Sequence, residues 1–320
     1  MMKFKIRLFI PLFIVILFLI IVGIFSNANG GREMNLLEGT IVFTTGGITS
    51  EGGDINIADI KNIAGTVKNI FKERVFVFET TWSPDGSRIL FVKDNMTDPL
   101  LKIPRYEIMI TDREGKDYKK VLDMGKTPCG YPSLSPDGTK IAFLAGEYLD
   151  ESWGELYIAA IDGTNIKKVS NLKTFSCRPA WLTDGKRIVF TSIDKKIYSI
   201  NYDGTDLKEI AKCIQPALSP DGKKLAFRGP WNIYLCDING KNKKLLVWNY
   251  NRAIFGDYIY PSNLTWSPDG QYLLYARKSW GIWGGIFADM MVVSTANPFK
   301  KIQLNYAPGG QLRAISWAKK

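Results

Sequence analysis

The chain has 320 residues, 46% hydrophobic and 23% charged, the balance of a globular protein long enough to bury a substantial core. It contains no histidine, which excludes Ser-His-Asp triads, Cys-His pairs and imidazole metal ligands. Against 31 Asp and Glu, 42 Lys and Arg leave a net charge of +11, but no basic stripe with interleaved stacking aromatics is present, so nucleic acid is not an expected partner.

The first 35 residues read as a separate unit. Residues 8–25 are apolar apart from Pro11 and Gly23, and Lys3, Lys5 and Arg7 precede them, the charge order that keeps the N-terminus in the cytoplasm. About 18 apolar residues can span a bilayer. The expectation is therefore a cytoplasmic stub, a retained transmembrane signal-anchor helix and a short linker over residues 1–35, with residues 36–320 outside the cell membrane. Ser26-Asn27-Ala28 supplies small residues for a signal peptidase, so the alternative is a protein secreted after cleavage at Ala28.

Gly39-Thr40-Ile41-Val42-Phe43 reads as a strand, and beyond it one tetrapeptide organises the chain. Ser-Pro-Asp-Gly stands at 83–86, 135–138, 219–222 and 267–270, with a worn copy, Leu182-Thr183-Asp184-Gly185, between the second and third. Each is preceded by a Trp or Leu landmark (Trp82, Leu134, Trp181, Leu218, Trp266) and followed by an alternating apolar pair such as Ile89 and Phe91, which predicts a half-buried strand. Successive landmarks, ending at Trp317, lie 52, 47, 37, 48 and 51 residues apart, the period of four-stranded propeller blades. Third strands are predicted over 106–110, 156–161, 197–202, 233–238 and 290–293, and Lys-rich fourth strands follow, with Lys119/Lys120, Lys167/Lys168, Lys243/Lys244 and Lys300/Lys301. Charged outermost strands keep sheets from pairing with other molecules, and the same charge favours attraction to anionic lipid or wall polymer.

The ends complete one another. Residues 314–317 form an inner strand with no second strand after it, and residues 39–43 a second strand with no inner strand before it. Six inner and six second strands predict an all-β, six-bladed propeller closed by pairing near Ile315 with near Ile41.

This pattern resembles the TolB-like β-propeller repeat, related to WD-type repeats, over roughly residues 39–317. The resemblance implies a propeller that acts in the cell envelope. TolB proteins carry an α/β domain ahead of the propeller, and here a short segment, 26–33, stands in that place. Related repeats also precede the hydrolase domain of prolyl-oligopeptidase-like enzymes, and lyases that share them rely on His-bound metal, which this chain lacks.

Asp85, Asp137, Asp184, Asp221 and Asp269 recur at every turn and are read as structural Asx-turn acceptors. Cys129, Cys177 and Cys213 each shortly precede a proline at an inner strand and are expected to cluster on one rim of the channel, with Cys236 apart. Strand alternation places the turns carrying the tetrapeptide on one face and the length-variable excursions, 93–105, 145–155, 250–262 and 276–289, on the other. That face carries Trp153, Trp231, Trp280 and Trp283 with Arg178, Arg228 and Arg277, the candidate ligand-binding residues. The favoured reading is a membrane-tethered, extracytoplasmic, monomeric binding module for an envelope protein or polysaccharide, with no cofactor or metal and no catalytic residue. The alternative is a His-independent carbohydrate-active enzyme of hydrolase or lyase type, with Glu147, Asp150, Glu151 and Asp257 near the channel mouth. It requires two carboxylates converging within about 5–10 Å at a pocket.

Overall fold

The alternation around each Asp-Gly turn becomes a repeated antiparallel sheet in the computed structural model, which describes residues 36–46, 53–71, 77–95, 105–149, 152–230, 232–248, 259–280, 286–297, 301–304 and 311–320. The expected helix over 8–25 lies outside them. Among the described residues no helix is long and apolar enough to cross a membrane.

The first blade holds β1 (Thr40–Gly46), β2 (Asp54–Asp59) and β3 (Lys68–Asn69), with one short helix, α1 (Ile63–Thr66), before β3. The second comprises β4 (Val77–Trp82), β5 (Arg88–Asp94), β6 (Tyr106–Asp112) and β7 (Lys119–Asp123), and the third β8 (Cys129–Leu134), β9 (Lys140–Leu149), β10 (Ser152–Ala160) and β11 (Lys167–Lys168). The fourth has β12 (Ala180–Trp181), β13 (Arg187–Thr191), β14 (Lys196–Asn201) and β15 (Lys208–Lys212). The fifth has β16 (Ile214–Leu218), β17 (Lys224–Arg228), β18 (Ile233–Asp237) and β19 (Lys244–Val247), and the sixth β20 (Ile259–Trp266), β21 (Tyr272–Trp280), β22 (Ile286–Ser294) and β23 (Lys301–Gln303). The last strand, β24 (Gln311–Ala318), completes the first sheet in the order β24-β1-β2-β3, with Ile41 opposite Trp317 and Phe43 opposite Ile315. Six four-stranded sheets result, and the ring closes as the sequence predicts.

Two expectations are corrected. The second strands are buried on both faces: Ile89, Leu90, Phe91 and Val92 are all fully buried, because a neighbouring blade packs against each side. The described residues of the excursions 145–155 and 276–289 pair as ladders, with Trp153 opposite Tyr148 and Trp280 opposite Ile286. Both hairpins continue the pleat of their blades outward.

Adjacent blades are sealed inside and outside. On the inside the indole N–H groups of Trp181 and Trp266 donate to the carbonyls of Ser133 and Ala217 on the preceding inner strands, at 3.0 and 2.8 Å. Within the first blade, the Trp317 indole donates to the Glu38 carbonyl at 2.9 Å and latches the two ends of the propeller. On the outside, a glycine in the third-to-fourth turn of the second to fifth blades, Gly115, Gly163, Gly204 and Gly240, abuts the preceding blade. A Cβ on Gly163 would stand 2.1 Å from the Val121 carbonyl oxygen and one on Gly240 2.2 Å from that of Ile210, and both residues have φ above +80°. Only glycine fits there without displacement.

Candidate functional site

The six inner strands surround a cavity of about 730 Å³. Counting back three residues from each landmark gives Glu79, Tyr131, Arg178, Gln215, Asn263 and Ala314, and counting back one gives Thr81, Ser133, Ala180, Ala217, Thr265 and Ser316. All twelve line the cavity. The period of two that points alternate strand residues to one side therefore builds two stacked rings. Inner strands run toward the tetrapeptide turns, so the three-back ring lies nearer the face that carries the variable excursions. Pro84, Pro136 and Pro220 line the cavity's other end.

Tyr131, Gln215 and Asn263 all adopt φ of 54°, and the ladder between inner and second strand slips across each. These are β-bulges, which re-aim side chains at the rims of closed sheets. Arg178 reaches from the fourth blade to the second, donating to the Thr80 carbonyl at 2.7 Å and approaching the Glu79 carboxylate at 3.4 Å. The buried Arg178 Nε and Gln215 Oε1 have no hydrogen-bond partner among the described residues. Glu79 is the one carboxylate among the described lining residues.

The candidate residues named from sequence are dispersed. Arg178 joins the channel ring, Arg277 pairs with Asp289 across the β21–β22 hairpin at 2.5 Å, and Arg228 ends β17 on the fifth blade. The backbones of Glu147, Trp153 and Trp280 sit on the two long hairpins, and Trp231, Trp283, Asp150, Glu151 and Asp257 lie outside the described residues. The channel ring went unread because its members share position and not residue type. Offset from the landmark was the signal that could have found it.

The turn carboxylates are engaged locally. Asp85, Asp137, Asp221 and Asp269 accept from the serine hydroxyl two residues before and from the backbone N–H two residues after. Asp184, lacking the serine, accepts from the Lys186 N–H at 2.8 Å. The Ser135 hydroxyl, with help from Thr139, holds the Asp137 carboxyl down at about 2.

The cysteines do not gather at one rim. All four are free and buried: Cys129 packs between the second and third blades, Cys213 beside Cys236 between the fourth and fifth, and Cys177 with Phe175 and Ile214. A shared distance from a proline does not fix which side of a bulged strand a residue faces. Burial pushes the thiols of Cys129 and Cys213 up to about 12 and those of Cys177 and Cys236 to about 11, so none is a ready nucleophile.

Residues 100–297, more than half the chain, match the TolB beta propeller domain family. The chain belongs to that family. The Tol-Pal system protein TolB of Francisella tularensis is 26% identical over 244 residues, which cover 71% of this chain and 51% of that protein. An uncharacterized peptidase, YuxL, of Bacillus subtilis is 25% identical over 64% of this chain and 30% of its own length. The chain thus spans about half the length of the curated TolB relatives it matches. Among solved structures, TolB from Acinetobacter baumannii superposes with a TM-score of 0.66 at 22% identity, covering 88% of this chain and 67% of that one. A chain of a nidogen/laminin complex reaches 0.62 at 14% identity, covering 88% and 98%. These two likenesses show a shared fold.

Proposed function

We propose that this chain is a membrane-tethered, extracytoplasmic, monomeric propeller that holds a segment of an envelope protein at the mouth of its central channel. The supporting observation is the three-back ring. Its amide, phenol, guanidinium and carboxylate groups surround an open cavity, and Arg178 Nε and Gln215 Oε1 stand buried without a partner among the described residues. Such groups are costly to leave unmade and are satisfied by a ligand carrying peptide-like donors and acceptors. A lone carboxylate in the described lining favours binding over two-carboxylate chemistry. Trp153, Trp231, Trp280, Trp283, Arg228 and Arg277 would extend the contact across the same face. The apolar run 8–25, led by Lys3, Lys5 and Arg7, would supply the tether.

The test is site-specific photocrosslinking in intact membranes. A benzophenone side chain at Tyr131 should give a discrete protein adduct that Arg178→Glu abolishes, and one at the exposed Ile166 beside β11 should give none. Adducts from Ile166 alone would place the partner elsewhere. Salt-resistant sedimentation with membranes checks the tether, and a mature N-terminus at Asn29 would replace it with a secreted form.

A further inference from the structure

Several cations on the second to fourth blades are paired at home, while others, Lys116, Lys119, Lys167 and Lys168 among them, are exposed with no carboxylate within ion-pair distance among the described residues. Lys120 meets Glu107 and Asp123, Lys196 meets Glu209, and Arg187 and Lys208 share Asp206. The fifth blade has no lysine ion pair among the described residues. Lys223, Lys224, Lys241 and Lys244 are all exposed, and none has a carboxylate within ion-pair distance among the described residues.

Register gathers these four at one corner. Lys224 stands opposite Asp237, Lys244 opposite Leu235, the Ile238 N–H donates to the Lys223 carbonyl at 3.0 Å, and the Asp237 N–H to that of Lys241 at 2.9 Å. The acids that share the corner are occupied: Asp221 accepts from Ser219 and the Lys223 N–H, and Asp237 from the Asn242 side chain. Immediately along the outermost strand, Leu245 is 46% exposed and Trp248 63% exposed.

We propose that this corner of the fifth blade is a peripheral binding surface for anionic phospholipid headgroups, the lysines meeting phosphates and Leu245 and Trp248 entering the interfacial layer. Clustered lysines alone would suit any polyanion. Exposed leucine and tryptophan on the same strand select a lipid surface, because a soluble phosphate polymer leaves them in water. The proposal rests on the tethered reading only in that a bilayer must lie within reach of the propeller.

The test floats the full chain with vesicles of phosphatidylcholine, with or without about 30% phosphatidylglycerol, and follows lysine acylation by mass spectrometry. Acylation of Lys241 and Lys244 should slow about tenfold on the anionic vesicles and recover at about 0.5 M salt, where screening is short-ranged. That protection should vanish in the variant Lys223→Glu/Lys224→Glu/Lys241→Glu/Lys244→Glu, read at the acylation of the exposed Lys243 between them, and persist when Lys68, Lys116, Lys126 and Lys319 are reversed instead. Equal rates on both vesicles, or equal loss in the dispersed variant, overturn the proposal. So does equal protection by a soluble polyglycerol phosphate that Leu245→Ser/Trp248→Ser leaves unchanged. Flotation with phosphatidylcholine alone reports the tether separately. A chain that floats only on anionic vesicles keeps the lipid surface and loses the tether.

Discussion

Deletion of residues 312–320 tests the closure of the ring most directly. It removes Leu312, Ala314, Ile315, Trp317 and Ala318, all buried, and strips β1 of its inner partner along most of its length. Burial of the leucine and isoleucine is worth about 2 kcal/mol each, and loss of a buried tryptophan costs about 3–5 kcal/mol. The loss of about 8 kcal/mol is comparable with the whole stability of a typical domain, about 5–15 kcal/mol. At roughly 2 °C per kcal/mol for a domain of this size, the thermal midpoint should fall by at least about 15 °C, read by circular dichroism or calorimetry. Trp317→Ala alone should produce roughly half that fall, and a synthetic peptide of residues 309–320 should restore part of the lost stability in trans. A truncated chain melting within about 3 °C of the full one would refute the reasoning.

Two further outcomes follow from local geometry. Gly240→Ala forces a Cβ to 2.2 Å from the Ile210 carbonyl oxygen at φ +81°, whereas a Cβ on Gly138, at φ +70°, would meet nothing within 4 Å. The first should cost about 3 kcal/mol and the second about 1 kcal/mol, from left-handed strain alone, and equal costs by urea titration would contradict the packing of the turn against β15. The Asp137 carboxyl is depressed to about 2 by the Ser135 hydroxyl and Thr139, so its contribution to stability is present above the unfolded value near 4 and lost as pH falls toward 2. Asp137→Asn should therefore lower the melting midpoint at pH 6 and close the gap with the parent protein near pH 2. A gap independent of pH would show that the carboxylate's charge plays no part.

The blades were legible because one turn recurs in register, and Trp317 together with Ile41 carried the closure. Less was legible where the fold uses position without residue identity. Glu79, Tyr131, Arg178, Gln215, Asn263 and Ala314 occupy one ring and share no chemistry, so only the landmark count unites them. Strand pairing in the 145–155 and 276–289 excursions was hidden because their glycines and charged residues read as loop, while the ladder Trp280 to Ile286 is set by the blade beneath it. The cysteines misled through the bulges, which reset the side a residue faces.

The indole hydrogen bonds divide the ring unevenly. The third blade is joined to the fourth through Trp181, and the fifth to the sixth through Trp266, while the Trp82 backbone N–H binds the Ser316 hydroxyl to join the first and second. Leu134 and Leu218 have no indole donor, and their seams rest mainly on apolar contact, Leu90 and Ile108 with Phe143 at one and Val189 and Ile197 with Phe227 at the other, supplemented at the first by a weak bond from the Cys129 thiol to the Tyr106 carbonyl at 3.2 Å. The Asn263 side-chain amide donates to the Leu312 carbonyl at 3.4 Å and joins the sixth blade to the first, so the two remaining seams divide the disc into a pair of blades, third and fourth, and a set of four. Apolar seams slide at lower cost than directional bonds, so the channel mouth should widen by these two parts swinging apart, and amide exchange along β8 and β16 should report that motion before any exchange along β12 or β20.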